Sequence, residues 1–164
     1  MPFQSRKTKE MYEERIERAV ELHQEGYNCC QSVVAAFGDL YGYTKGQSLK
    51  MSFAFGGGIG GMRDTCGALI GVVLLAGLET GSDLPRDAES KKRTFGLVQK
   101  LAEEFKQRNG ALRCADLLAL PKAPAPQTPN PDREGNYHLT PCGEKVRIAA
   151  ELWCKALDEL RVKA

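Results

Sequence analysis

The stretch GGGIGG at residues 56–61 constrains the fold more than any other part of the sequence, because five of its six residues are glycine. Glycine loses more conformational freedom on folding than any other residue, so such a run lowers stability unless the folded chain uses it. Cys66 follows shortly after, at the start of the apolar sequence CGALIG. We therefore expect this loop to serve Cys66, either by turning backbone N–H groups toward an anion or by passing close to a bulky cofactor. The cofactor-binding candidates in the loop are Gly57, Gly58, Gly60 and Gly61.

The length and charge of the chain exclude some classes of protein. A chain of 164 residues predicts a single domain, and a net charge of +2 with both signs mixed does not indicate nucleic-acid binding. The N-terminal sequence has no apolar stretch of the kind found in signal peptides, so we expect a cytoplasmic location. The longest apolar run extends from Ala68 to Leu78, and even when counted from Cys66 to Glu79 it would be about 21 Å long as a helix. That is too short to span a bilayer, so we expect no membrane span.

Apolar residues recur at spacings of three and four along most of the chain, which predicts a single-domain all-α bundle of about five to seven helices. The predicted helices are 8–25, 29 to about 41, 46–55, 65 to about 80, 86–109, 112–119 and 141 to about 161. The helix over 65–80 is apolar on all sides, so we expect it at the centre of the bundle. Residues 121–140 are rich in proline and predict a surface connection.

Several residues predict where these helices begin. Asn28 is a good N-cap, and Gln31 follows it at the spacing of a capping box. Thr65 or Asp64 is the predicted cap of the helix over 65–80, and Thr140 that of the last helix. Within the helix over 65–80 the glycines at 67 and 71 lie four residues apart on one face, where another backbone could approach closely.

Four of the six cysteines fall at predicted helix starts: Cys29, Cys66 and Cys142 in a first turn, and Cys114 near the start of a shorter helix. Unpaired N–H groups and the helix dipole stabilise a thiolate at such positions. Thiolate is the form of cysteine that binds metals and attacks disulfides. Cys154 lies far along the last helix and is predicted to be a core residue. For Cys30 the sequence leaves open both packing and an auxiliary thiol.

The order of these motifs resembles a known family. Asn28-Cys29, the glycine-rich loop, Cys66-Gly67-Ala68-Leu69-Ile70-Gly71, Cys114 and Cys142 together resemble the C_GCAxxG_C_C family of redox-active proteins over residues 12 to 155. The resemblance implies that Cys29, Cys66, Cys114 and Cys142 are the family cysteines. It also implies a small helical domain with a redox or metal-binding role. Cys30 and Cys154 depart from the family pattern.

Three functional hypotheses follow. The first is a metal or iron–sulfur centre for electron transfer or sensing, with iron or zinc held by Cys29, Cys66, Cys114 and Cys142 and with the loop amides donating to the sulfurs. The second is a thiol–disulfide exchange enzyme or relay, with Cys66 as the attacking thiolate and Cys29 as its catalytic partner. The third is a structural zinc-binding interaction module. The first two require Cys66 to meet another family cysteine in space. The sequence leaves open an enzymatic activity, the redox partner and a homodimer.

Overall fold

A computed structural model describes residues 6–118 and 142–162 of the chain. These residues form an all-α bundle, as predicted, with seven α-helices and no strand. In chain order the helices are α1 (Arg6–Gln24), α2 (Cys29–Phe37), α3 (Lys45–Ser52), α4 (Gly67–Thr80), α5 (Ala88–Asn109), α6 (Cys114–Leu117) and α7 (Cys142–Val162). Short 3₁₀ helices extend α2 and α3, over Gly38–Tyr41 and Phe53–Phe55, where the sequence predicts longer α-helices. The predicted connection at 121–140, with its cap Thr140, lies outside the described residues.

Helix α2 is the most enclosed element of the bundle. Eight of its nine residues are buried, and it packs against α1, α3, α4 and α7. The capping box predicted at its start is present, because the Asn28 side chain accepts from the Gln31 amide and the Gln31 side chain accepts from the Asn28 amide. This reciprocal pairing satisfies two N–H groups that would otherwise lack a partner. The first turn of α2, which carries Cys29, is therefore fixed locally as well as by packing.

The central position predicted for the apolar helix α4 is not confirmed. Helix α4 packs against α2, α5 and α7, but one of its faces lacks a full cover of side chains. Along that face Ile70, Val73 and Leu74 are only half-buried and Leu78 is exposed. An apolar composition on all sides is thus compatible with a helix that is enclosed on three sides.

The close backbone approach predicted at Gly67 and Gly71 occurs within the chain. A β-carbon added to Gly71 would lie 2.8 Å from the Val33 β-carbon, and one added to Gly67 would lie 3.3 Å from the Cys30 amide nitrogen. Both contacts are with α2. The two glycines therefore let α2 and α4 pack closely, which brings the starts of these helices, and with them Cys29 and Cys66, side by side.

The remaining core lies between the two long helices α1 and α7 and the ends of α2 and α5. Its largest fully buried side chains are Trp153, Phe37, Phe105 and Leu22. Burying a side chain of this size stabilises the fold by about 1.5–3 kcal/mol, so this region holds the helices whose starts carry the cysteines. None of the described helices combines the length and the apolar character that crossing a bilayer requires.

Candidate redox site

Four separate helix starts carry the four family cysteines. Cys29 is the first residue of α2, Cys114 the first of α6, and Cys142 the first described residue of α7. Cys66 directly precedes α4 and is itself the N-cap residue, so the prediction that Thr65 or Asp64 caps this helix is wrong. Thr65 instead forms an isolated β-bridge with Arg113.

The four thiols share one region of the protein. The Cys29 thiol is hydrogen-bonded to the Cys142 side chain, and negative charge on Cys66 or Cys114 raises the pKa of Cys29. Charge on Cys114 or Cys142 raises the pKa of Cys66, and charge on Cys142 raises the pKa of Cys114. Each of the four cysteines therefore interacts electrostatically with the other three. Because such interactions fall with distance, the four cysteines lie in one region, and direct contact of Cys66 with another family cysteine stays a prediction.

The arrangement of the four thiols does not match that of a site for a single metal ion. Across residues 6–118 and 142–162, no group of three or more Cys, His, Asp or Glu side chains is placed as a metal ion would require. Soft thiolate sulfurs nevertheless suit zinc and iron–sulfur clusters by their donor chemistry. The metal-ligand roles assigned to the four cysteines from the sequence therefore stay predictions.

Burial dominates the protonation of these thiols. Cys29, Cys66 and Cys114 have 7%, 5% and 7% of their surface exposed, whereas Cys142 is half-buried. Burial raises the pKa of Cys66 to about 11, although hydrogen bonds from the Ala68 and Leu69 amides at the start of α4 act to lower it. The predicted effect of the helix start is thus present but smaller than the desolvation of the charged sulfur.

The thiols of Cys29 and Cys142 are hydrogen-bonded to each other. The hydrogen bond to Cys142 is the main cause that raises the pKa of Cys29 well above its ordinary range, and burial adds to it. A thiol that donates to a neighbouring sulfur keeps its own proton and stabilises negative charge on that neighbour. The pair therefore keeps Cys29 as a neutral thiol beside the Cys142 sulfur.

Cys114 has a cation beside it. The Arg63 guanidinium donates to the Cys114 sulfur, with 3.7 Å between Nη1 and Sγ. Burial raises the pKa of Cys114, while this hydrogen bond and the charge of Arg63 act to lower it. Burial is the larger effect and the pKa of Cys114 stays above its ordinary value, but the opposite charge in contact with the sulfur offsets part of that rise.

The glycine loop adopts a left-handed backbone. Residues 57–61 have φ between 58° and 78°, and Arg63 has φ of 60°. The left-handed region costs a residue with a β-carbon roughly 1–2 kcal/mol, which explains why four of the five residues at 57–61 are glycine. Ile59, a β-branched residue, carries that strain with φ of 67°.

Most amides of the loop segment donate within it, and donation of loop amides to the sulfurs, as expected from the sequence, stays a prediction. The backbone N–H groups of residues 59–64 donate to carbonyls between residues 54 and 59. The curled loop thus provides carbonyl partners for its own N–H groups. The amides that lower the pKa of Cys66 come instead from the first turn of α4. Gly57, Gly58, Gly60 and Gly61 allow this fold by their left-handed backbone, and their predicted cofactor-binding role is untested.

The loop supports Cys66 and Cys114 through direct packing and backbone pairing. A β-carbon on Gly58 would lie 2.6 Å from the Cys114 β-carbon, so a side chain has no room there. The amides of Cys114 and Ala115 donate to the carbonyls of Asp64 and Arg63. The Cys66 amide donates to the Leu112 carbonyl at 2.8 Å, which joins the same two segments a second time.

Asn28 has a second contact that sequence reasoning missed. Besides capping α2, its side-chain amide donates to the Phe53 carbonyl at 3.0 Å. A β-carbon on Gly56 would lie 2.5 Å from the Asn28 side chain, so the first glycine of the loop packs directly on this residue. Asn28 therefore ties the glycine loop to the start of the helix that carries Cys29. The adjacent pair Asn28-Cys29 was the sequence signal for this contact, but the N-cap role was enough to explain an asparagine at that position.

The two further cysteines lie in the core. Cys154 is buried, and its thiol donates to the Tyr12 carbonyl at 3.7 Å, as expected of a core residue. Cys30 is completely buried, and burial raises the pKa of both Cys30 and Cys154 to about 12. Negative charge on Cys66 also raises the pKa of Cys30, so this fully buried side chain lies near the four family cysteines.

An all-α bundle with four thiols gathered at its helix starts defines a class of small cysteine-centred helical proteins. A family model described as putative redox-active protein (C_GCAxxG_C_C) matches residues 27–156, and the chain belongs to this family. The resemblance stated from the sequence is confirmed. Comparison with curated proteins and with solved structures found no match.

Proposed function

We propose that this redox-active protein works by two-electron thiol–disulfide exchange, and that Cys29 and Cys142 form its reversible disulfide. The hydrogen bond between these two thiols is the observation that carries the proposal. A disulfide requires two sulfurs that can reach bonding distance without large backbone movement, and hydrogen-bonded thiols meet that condition better than separated ones. The family's redox character supports the same class of chemistry.

The proposed reaction exchanges one disulfide for another. A disulfide of the partner accepts two electrons and becomes two thiols, while Cys29 and Cys142 lose their two protons and form one S–S bond. Attack proceeds through a mixed disulfide between the protein and its partner. The partner is a disulfide-containing protein or small molecule, and the cycle requires a compartment that returns the pair to thiols. The expected cytoplasmic location is part of this proposal.

The neighbouring thiols fit a supporting role. The Cys66 and Cys114 charges raise the pKa of Cys29, so a thiolate on either one disfavours a thiolate at Cys29. Closing the Cys29–Cys142 disulfide removes two ionisable sulfurs from this crowded region. Burial raises the pKa of both Cys66, the attacking thiol predicted from the sequence, and Cys114, but the Cys114 sulfur also accepts a hydrogen bond from the Arg63 guanidinium.

A redox titration with site variants tests the proposal. The reduced protein is equilibrated in dithiothreitol buffers of graded potential, and its free thiols are counted after alkylation. We expect the wild-type chain to lose two thiols in one two-electron step. Cys29→Ser and Cys142→Ser remove that step, whereas the core variant Cys154→Ser keeps it. Loss of no thiols at any buffer potential, or an unchanged step in Cys29→Ser, would contradict the proposal.

A thiolate-bound iron–sulfur cluster or other metal is the second candidate function, because all four family thiols interact with one another. Cys29, Cys66, Cys114 and Cys142 would be its ligands, and iron or zinc the metal. Iron, sulfide and zinc analysis of anaerobically purified protein, with a visible spectrum, separates the candidates. Iron with sulfide favours a redox cluster, zinc alone favours a structural module, and metal-free protein that passes the titration favours exchange.

A further inference from the structure

Arg63 lies against Cys114 in a way that the four cysteines alone do not explain. Its guanidinium is 3.7 Å from the sulfur, on a backbone with φ of 60°. Left-handed strain at a residue with a long side chain persists only where the surroundings hold it, and it is frequent at functional sites. The strain at this position therefore indicates that the arginine side chain has a role there.

Two backbone hydrogen bonds fix Arg63 in place. Its amide donates to the Gly57 carbonyl at 3.0 Å, and its carbonyl accepts from the Ala115 amide at 3.1 Å. A β-carbon on Gly57 would lie 3.8 Å from Arg63 Nη1, so the side chain runs along the glycine loop. The loop therefore holds one end of Arg63 while α6 holds Cys114 against the other.

The carboxylate that follows Arg63 in sequence, that of Asp64, pairs with a different arginine. Asp64 forms an ion pair with Arg113 at 3.8 Å, on the same segment that carries Cys114. The guanidinium of Arg63 is thus directed at the sulfur instead of at its sequence neighbour. Asp64, Arg113 and Asp116 are exposed, so both segments that meet at the Arg63–Cys114 contact reach the surface, while Cys114 itself is 7% exposed.

We propose that Cys114 is the thiol that first attacks the partner's disulfide, and that Arg63 is a positioning residue that compensates the charge on the attacking sulfur. This inference rests on the proposed function and replaces Cys66 as the attacking thiol. The glycine loop then exists to hold Arg63 and Cys114 together, since its left-handed turn places both.

The steps balance as follows. The Cys114 thiolate attacks one sulfur of the partner disulfide, the partner's S–S bond breaks, and the other partner sulfur leaves and takes a proton. Cys142 then attacks Cys114 in the mixed disulfide, releasing the second partner thiol with the proton of Cys142. Cys29 attacks Cys142 and gives up its proton, and Cys114 returns as a thiolate beside Arg63. Two electrons pass from the Cys29–Cys142 pair to the partner.

Trapping the first adduct tests the inference. A Cys142→Ser background removes the proposed resolving thiol, so early time points after mixing the reduced protein with glutathione disulfide should show the adduct on the thiol that attacked. Peptide mass mapping then identifies it. We expect glutathione on Cys114 ahead of Cys66 and Cys29, and an adduct that forms first on either of those two would overturn the inference.

Variants of Arg63 test the positioning role. In the same background Arg63→Gln should slow adduct formation on Cys114 about tenfold, the typical effect of removing a charge that contacts a thiolate. Arg63→Lys should restore most of the rate. Arg113→Gln removes a neighbouring charge and should leave the rate unchanged. Circular dichroism and urea unfolding show whether each variant is folded. An unchanged rate in Arg63→Gln, or no rescue by lysine, would contradict the role of Arg63.

The same variants separate this inference from the proposed function. With Cys142 intact, Arg63→Gln should form the Cys29–Cys142 disulfide more slowly but to the same extent at equilibrium. If no Cys29–Cys142 disulfide forms in the wild-type chain, the proposed function fails whatever the reactivity of Cys114. If it forms at wild-type rate in Arg63→Gln, the proposed function holds and this inference fails.

Discussion

Gly58 packs directly against Cys114, with room for no atom beyond hydrogen between the glycine and the cysteine β-carbon. The contact joins two parts of the chain that are 56 residues apart, and both lie within the residues that the family model matches. It gives the glycine loop a specific purpose, since its left-handed turn brings Gly58, Arg63 and Cys114 into register. The conformational entropy that the glycines lose on folding is thereby offset by a backbone shape that forms one wall of the thiol site.

Substitution of Gly58 tests this contact. Gly58→Ala meets the Cys114 β-carbon and the Asp64 amide nitrogen, and it adds left-handed strain of roughly 1–2 kcal/mol. We expect a loss of more than about 2 kcal/mol in the free energy of unfolding, because the clash adds to the strain. Gly61→Ala is the matched control, with φ of 78° but nothing within 4 Å of the new β-carbon. Urea unfolding of both variants should show a smaller loss for Gly61→Ala, and equal losses would contradict the packing argument.

Two glycines of α4 should respond in opposite directions. Gly71→Ala places a β-carbon 2.8 Å from that of Val33 and should destabilise the α2–α4 contact. At Gly77 an added β-carbon meets nothing within 4 Å, so Gly77→Ala should raise the free energy of unfolding by about 0.8–1 kcal/mol through helix propensity. Thermal unfolding checks both. A stabilising Gly71→Ala would show that the two helices are not in close contact.

The two contacts of Asn28 can be separated by substitution. Asn28→Ala removes the cap of α2 and the bond to the Phe53 carbonyl, and it should cost about 1–2 kcal/mol of stability. Asn28→Asp keeps a capping oxygen but loses the side-chain amide donor. We expect Asn28→Asp to be intermediate in urea unfolding. A value equal to that of the wild-type chain would mean that the link to the glycine loop contributes nothing.

Alkaline pH should destabilise the fold through its buried thiols. Burial raises the pKa of Cys30 to about 12, so the folded chain keeps a proton that the unfolded chain releases near pH 8.5. The unfolded state then binds fewer protons, and stability falls as pH rises from about 8.5 toward 12. Cys30→Ala should flatten this fall in urea unfolding under reducing conditions, by at most about 1.4 kcal/mol per pH unit. The same slope in both chains would contradict a neutral, buried Cys30.

The helices and the start of α2 could be predicted from the sequence because both depend on local patterns. Apolar spacing fixes a helix within one segment, and Asn28 and Gln31 lie close enough to cap α2 without help from the rest of the chain. The place of the four family cysteines at helix starts could be predicted in the same way. Each of these signals is short in sequence.

The parts that could not be predicted depend on tertiary packing. Burial of Cys66 outweighs the amides at the start of α4, and no sequence pattern measures that burial. Cys66 replaces Thr65 as the cap because Thr65 pairs with Arg113, which is 48 residues away. The exposure of Leu78 likewise depends on tertiary packing, which no pattern within α4 specifies.

The most direct test of the central claim is a peptide mass map of the oxidised protein. The reduced chain is treated with oxidised dithiothreitol, free thiols are alkylated, and the digest is searched for cross-linked peptides before and after reduction. The account predicts one dominant cross-link that joins the peptides of Cys29 and Cys142 and disappears on reduction. A cross-link that joins other cysteines while Cys29 and Cys142 are both recovered alkylated would contradict it.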